Sequence, residues 1–537
     1  MTNRVQTQVR PARPDPAFVS ATAGKAMIST SHPLATEAGL SALRRGGSAV
    51  DAYLAAAAVQ TVIEPTMTGL GGGLGMTVYE PLTGKSRVMG GAAILPAAEK
   101  GDLDDDAYWS GRTVTVPAWV SGGHGAWKKW GKLKWAELWT DALSCARDGF
   151  IVDQLLWGTM WEYRTVPGIS AQGRDVWYPG GRLVCVGEVL RQPALARTIE
   201  QLAGQGPDYF YRGEFARRYV DVARAAGGRL TLDDMAAAPG KVIDLELPAL
   251  RLANGSELHT SGLMYALALN LASIGRLGKR GRPTEDAESL FLSMRIVEET
   301  WHRCLSLSPV TGVETFQSAI AAVSPEGAEK LWSKVESGPP RSFDGMNMDT
   351  CGIVAVDESG MVVHGTHSTS GTPFGVGLMV EGVVVARPLY YFARPVVTMP
   401  VGWGTSLLVL RNGKPVFAAA SPSISAVQNL FQNTMNVLEW EMEPGESVQQ
   451  PMFGSPLYPS KRPMVESTMG ESIISEVERR GLKVRPVSPW EQEMGSCHAV
   501  HFGSDGTLRG AADPRRLGRV AGLSQSKTGS RLLRFGR

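Results

Sequence analysis

Residues 31–63 read SHPLATEAGLSALRRGGSAVDAYLAAAAVQTVI and run on through Glu64-Pro65 to GLGGGLG at Gly69 to Gly75. Pro33 suits a first helical turn, where its missing N–H has no intrahelical partner to lose. Gly46-Gly47 breaks that helix. Ser48 and Asp51 have the spacing of a capping pair for a second helix, AVDAYLAAAAVQTVI. The second helix is apolar nearly all round, so it belongs between layers and not on a surface. Gln60 interrupts its longest apolar stretch, Ala52 to Ile63, which is also too short to span a bilayer. After the glycines, MTVYEP reads as a strand.

Working outward, the chain from about Trp119 to Glu336 is mostly helical by pattern, with segments around Leu138 to Asp148, Ala194 to Ala203 and Thr284 to Cys304. LGKRGRPTEDAE is a charged surface connection. At Asp349 the texture changes. Thr350 to Thr369 alternates with period two around Asp357-Glu358-Ser359-Gly360, which predicts a β-hairpin. A second hairpin is expected over Ser406 to Ala419, turning at Arg411-Asn412-Gly413-Lys414. Gln428 to Trp440 reads as an amphipathic helix. Glu471 to Arg480 reads as another, followed by two short strands. No internal repeat stands out.

Composition narrows the class. The 537 residues exceed one small core, and 43% hydrophobic with 20% charged residues is ordinary for a globular protein. A net charge of +2, with no basic stripe, gives no footprint for nucleic acid. The first twenty residues contain no apolar h-region, so no secretory signal is read there and no membrane partner is expected. Residues 1–25 read as a flexible arm and 524–537 as a loose basic tail. The cysteines at 145, 185, 304, 351 and 497 are odd in number and form no CxxC. Neither a disulfide framework nor a zinc site is expected, and reduced thiols point to a cytoplasmic protein.

Several catalytic signatures are missing. There is no GxSxG elbow and no HExxH. His364 and His367 lie on one strand with opposite parity, so a shared metal is not expected. GLGGGLG lacks the preceding strand and following helix of a dinucleotide loop, and reads as a tight, close-packed turn. Thr350, taken alone, is an ordinary strand threonine.

The order of motifs is more informative. SHPLATEAGLSALRRGGSAVDAYLAAAAV, then EP, then GLGGGLG, resembles the start of the large subunit of the gamma-glutamyltransferase family. VPAWVSGGHGAWKKWGKLKWAEL followed by ARDGF resembles its next block. DTCGIVAVDESG resembles the start of its small subunit, SPSIS its SPGGS turn, and MGSCHAVHFGSDGTLRGAADPRR its terminal block. The similarity spans most of Ala26 to Arg516.

The resemblance implies an α+β fold, the four-layer αββα sandwich of N-terminal-nucleophile hydrolases. It implies a large subunit over 26–349 and a small subunit over 350–523, intertwined in one unit after cleavage between Asp349 and Thr350. Thr350 would be the nucleophile. A threonine hydroxyl is a poor nucleophile unaided, and a free α-amine with a pKa near 8 can serve as its base. Ser368 matches the hydroxyl that supports the nucleophile, with Thr369 as a substitute. The oxyanion hole would be made by the backbone N–H groups of Ser423 and Ile424. Isoleucine tolerates positive φ badly, so the turn is expected to avoid it.

The implied substrate pocket departs from the family. Ala92, in GGAAILP, stands where an arginine grips the glutamyl carboxylate. Gly402 and Trp403 replace paired serines, and Ser370 an asparagine. Tyr390 and Tyr391 are the nearest counterparts of the aspartate pair. Losing every charged partner of a zwitterionic head group removes several bonds of about 1.5–3 kcal/mol each. The expected function is therefore a self-cleaving amidohydrolase or acyltransferase for a non-glutamyl, more apolar acyl group. Two alternatives are a C–C bond hydrolase of a natural-product pathway on the same scaffold, and an uncleaved binding protein. The expected partners are a small amide or acyl substrate and the two fragments themselves, with a homodimer as an option. No cofactor and no metal are implied.

Overall fold

A computed structural model describes residues 19–91, 94–99, 110–166, 170–307, 313–341, 350–369, 371, 373–387, 404–456 and 460–524. Asp349, Ala92, Ser370, Tyr390, Tyr391, Gly402 and Trp403 lie outside the described residues, as do most of the N-terminal arm and the C-terminal tail.

The opening stretch folds as two helices, Pro33–Arg44 and Ala49–Ile63. Ser48 and Asp51 form the reciprocal capping box between them. Every residue of Ala49–Ile63 is buried, as its all-round apolar character requires. Asp357, in the turn of the Thr350 hairpin, accepts a 2.9 Å hydrogen bond from the Ala49 backbone N–H. The helix start and the hairpin turn are thereby tied together.

Two seven-stranded antiparallel sheets carry the fold. The first runs, in spatial order, Arg519–Leu523, Ala26–Thr30, Cys351–Val356, Val362–Ser368, Gly73–Glu80, Lys85–Gly91 and Ile243–Leu247. The second runs Ser20–Ala23, Leu508–Ala512, His498–Phe502, Lys414–Ala420, Ser406–Arg411, Glu257–His259 and Leu250–Arg251. Alternation gives each sheet two apolar faces. The inner faces meet through Met27, Val354 and Val356 on one side and Leu408, Ala418 and Val500 on the other. The outer face of the first sheet packs under the helices Pro33–Arg44 and Ala49–Ile63. That of the second packs under Leu263–Ile274, Ala287–Ser306 and Ala426–Leu438. The result is the expected αββα sandwich.

The second hairpin turns at Asn412-Gly413, both at positive φ, as an Asn-Gly hairpin turn demands. Two expectations need correction. The amphipathic helix expected over Gln428 to Trp440 runs Ala426–Leu438, and its polar face is buried along with its apolar one through Val437. Two of its amides face the backbone of distant segments instead of water. Gln432 Nε2 donates to the Phe453 carbonyl at 2.9 Å, and Asn429 Nδ2 to that of Met494 at 3.1 Å. Four strands follow Glu471–Arg479 where two were expected: Arg485–Val487, His498–Phe502, Leu508–Ala512 and Arg519–Leu523. The last pairs with Ala26–Thr30 from the opposite end of the chain, a partner no local pattern can indicate.

Candidate active site

Thr350 immediately precedes Cys351–Val356, an interior strand of the first sheet. That strand pairs antiparallel with Val362–Ser368, with Cys351 opposite His367. One step further along this register, Thr350 faces Ser368. The Thr350 hydroxyl donates to Ser368 Oγ at 3.1 Å. Ser368 is held from the far side by Gly73, its partner in the next strand. Gly72 lies so close that a Cβ there would sit 2.1 Å from the Ser368 carbonyl oxygen. Gly69 to Gly72 thus form the close-packed turn read from the sequence, while Gly73 to Gly75 already belong to the strand Gly73–Glu80. Thr369, the alternative support, is fully buried, and its backbone N–H donates to the Met67 carbonyl at 3.3 Å.

Residues 421–424 form a turn between the strand Lys414–Ala420 and the helix Ala426–Leu438. Gly352, two residues beyond Thr350, lets this turn approach: a Cβ there would meet Pro422 Cδ at 3.2 Å and His498 Cδ2 at 3.0 Å. The expectation that this turn avoids positive φ is wrong. Ser423 adopts φ +88°. The left-handed residue is the serine, so the β-branched neighbour is spared. Ser423 Oγ donates to the Glu493 carbonyl at 3.1 Å, which anchors the strained residue. Ile424 packs on Met452, Met464 and Met494.

A buried polar network lies behind Thr350. Ser31 Oγ donates to both Glu64 oxygens at 3.1 Å. Gln60 Nε2 donates to Glu64 at 2.9 Å, which turns Gln60 Oε1 toward His367 Nε2 at 2.8 Å. Trp119 Nε1, which can only donate, points to His367 Nδ1 at 3.2 Å, and the Thr68 hydroxyl lies 2.7 Å from the same nitrogen. His367 is thus neutral, with its proton on Nε2, and burial holds its pKa down at about 3. Its ring serves this network, on the strand face opposite Ser368. Burial pushes the Cys351 thiol well up, with the Glu64 carboxylate adding to the shift, so this thiol is a poor thiolate source.

Sequence reasoning missed Arg516. Its guanidinium is buried, and its Nη1 reaches the Thr350 carbonyl at 3.5 Å while its Nε donates to the Gln492 carbonyl at 3.2 Å. The polar network was also missed. Its one sequence signal was Gln60, a lone amide in an apolar helix. His364 and His367 do face opposite sides, and among the described residues no cluster of His, Cys, Asp or Glu could hold a metal. No described helix is long and apolar enough to cross a membrane.

Two facing antiparallel sheets between helical layers, with Thr350 heading an interior strand, define the N-terminal-nucleophile hydrolase fold. A cephalosporin acylase from Bacillus halodurans has the same fold, with a TM-score of 0.79 at 22% identity over 98% of this chain and all of that one. The family model for gamma-glutamyltranspeptidase matches residues 35–523, and the chain belongs to that family. Among its relatives, a glutathione hydrolase proenzyme of Bacillus subtilis is 24% identical, covering 93% of this chain and 91% of the relative. An "Acylase ACY 1 proenzyme" of a Pseudomonas species is 26% identical, covering 94% of each. In class, the chain is a gamma-glutamyltransferase-like acyl hydrolase.

Proposed function

We propose that this chain is a proenzyme that cleaves itself before Thr350 and then acts as a threonine-nucleophile amidohydrolase or acyltransferase on a non-glutamyl, more apolar acyl group. The observation that carries the reading is the 3.1 Å contact between the Thr350 and Ser368 hydroxyls at the head of the strand Cys351–Val356.

In maturation, Thr350 Oγ attacks the carbonyl carbon of Asp349. The C–N bond breaks as the peptide nitrogen takes up a proton, which leaves an ester on Oγ and a free α-amine on Thr350. Water then hydrolyses the ester and frees the Asp349 carboxylate. In turnover, the same hydroxyl attacks the substrate amide, and the α-amine takes its proton and passes it to the leaving amine. Water or an acceptor amine then resolves the acyl-threonine ester. Ser368 steadies Oγ in both stages. The backbone N–H groups of Ser423 and Ile424 would receive the oxyanion, and the positive φ at Ser423 is the kind of strain found at such sites.

The acyl preference rests on sequence: Ala92, Ser370, Tyr390, Tyr391, Gly402 and Trp403 offer no charge complementary to a glutamyl head group. Relatives named as acylases fit a scaffold that serves other acyl groups. The test is turnover of γ-glutamyl 4-nitroanilide against phenylacetyl and hexanoyl 4-nitroanilides. The reading expects the aryl- or alkyl-acyl anilides to be favoured at least tenfold in kcat/KM, about 1.4 kcal/mol. Preferred glutamyl turnover would overturn it.

A further inference from the structure

A cavity of about 340 Å³ opens beside the helix Ala426–Leu438, lined by none of the residues that touch Thr350. That volume is within the range of small-molecule sites. Its floor is buried and largely apolar, from Met294, Val297, Phe453 and Leu482. One polar atom in this floor lacks a partner: Gln428 is 2% exposed, and its Oε1 makes no hydrogen bond. The orientation of that amide is settled by its neighbour. Ser455 has one hydroxyl proton, and it goes to the Ile424 carbonyl at 2.9 Å. Ser455 Oγ must therefore accept the 2.9 Å bond from Gln428, so Nε2 faces Ser455 and Oε1 is left as a bare acceptor. A buried carbonyl oxygen without a donor is costly, which makes it a binding contact when a donor arrives.

The rim is basic. Arg462 and Lys483 line it, both exposed and without an ion pair among the described residues. The acid that lines the cavity, Glu298, is already held by the Arg295 guanidinium and by the Arg341 backbone N–H. The Arg341 guanidinium is itself paired with Glu299. The charge free to meet a ligand is therefore positive.

We propose that this cavity is a second ligand site, for a small organic anion with an apolar body, a carboxylate and one O–H or N–H donor. The body lies on Met294, Val297 and Phe453, the donor caps Gln428 Oε1, and the carboxylate meets Arg462 and Lys483. Mandelate, which is neither an amide nor an ester and cannot be turned over as one, carries all three features. Isothermal titration of the full chain with mandelate should show saturable binding. Methoxyphenylacetate, which lacks the donor, should bind about fivefold more weakly, and the uncharged 1-phenylethane-1,2-diol at least tenfold more weakly. The surface variant Arg462→Glu/Lys483→Glu, shown to be folded by an unchanged thermal midpoint, should lose at least tenfold in mandelate affinity. Absence of mandelate binding, or binding that the double reversal leaves unchanged, overturns the site. Equal affinity for the methoxy analogue overturns the role of Gln428.

Discussion

Thr350 and Ser368 lie across an antiparallel strand pair with their hydroxyls 3.1 Å apart, in a register set by Cys351 opposite His367. Because Thr350 donates to Ser368, the support is a single hydroxyl that threonine could also supply. Ser368→Ala should slow fragment formation and lower kcat by about ten- to a hundredfold, the loss of one hydrogen bond to the nucleophile. Ser368→Thr should restore most of both. The check is a time course of fragment formation together with steady-state kinetics. Equal activity in the alanine variant would remove Ser368 from the site.

Arg516 is expected to act as a positioning residue through the Thr350 carbonyl. Arg516→Met should slow maturation about tenfold or more, since it leaves that carbonyl without its charged donor. Arg516→Lys should recover part of the rate. The half-time of fragment formation on a denaturing gel measures this, and a thermal melt separates it from unfolding.

Gly352→Ala should disturb the turn more than the fold. The added methyl meets Pro422 and His498 at 3.2 and 3.0 Å, so the turn must move away from the strand that Thr350 heads. The expected result is a fall in kcat of about tenfold with a thermal midpoint lowered by only a few degrees. A loss of stability with kcat intact in the folded fraction would count against the turn as the oxyanion site.

The buried histidines set an acid limit on stability. Burial holds His364, His367 and His498 at about 3, below the unfolded value near 6.5. Between those values the unfolded state binds protons that the folded state refuses, so each histidine's contribution is complete above about pH 6.5 and is lost progressively below it. Glu64 and Asp513, pushed up by burial, act in the opposite sense. His364 is the cleanest probe, since both its ring nitrogens lack hydrogen-bond partners. His364→Leu should be neutral or stabilising at pH 7.5. Between about pH 7.5 and 5.5 the parent should lose about 1.4 kcal/mol that the variant keeps. Denaturant titrations at the two pH values read the difference, in which the carboxylates cancel. Parallel pH profiles for parent and variant would contradict it.

Local chemistry made much of this legible. The Ser48–Asp51 capping box, the Asn412-Gly413 turn and the Thr350 hairpin each rest on residues a few positions apart, and each forms where expected. Ser368 came from the family resemblance, and the register of the same hairpin explains why it meets Thr350. Arg516 could not be found this way, since its contact with Thr350 joins residues far apart in the chain. The polar side chains of Ala426–Leu438 were read as a wet face. Gln432 and Asn429 in fact donate to the carbonyls of Phe453 and Met494, supplied by distant segments. The strain at Ser423 shows the same limit: the serine itself takes the left-handed conformation that Ile424 would resist.

The central claim is that Thr350 becomes a new N-terminus. The most direct measurement is intact mass and N-terminal sequencing of the purified chain beside its Thr350→Ala variant. The account requires two fragments from the parent, Met1 to Asp349 and Thr350 to Arg537, with the smaller beginning Thr-Cys-Gly-Ile, and one uncut chain from the variant. A parent that stays a single intact chain on prolonged incubation, or a variant that still cleaves at the same bond, would contradict it.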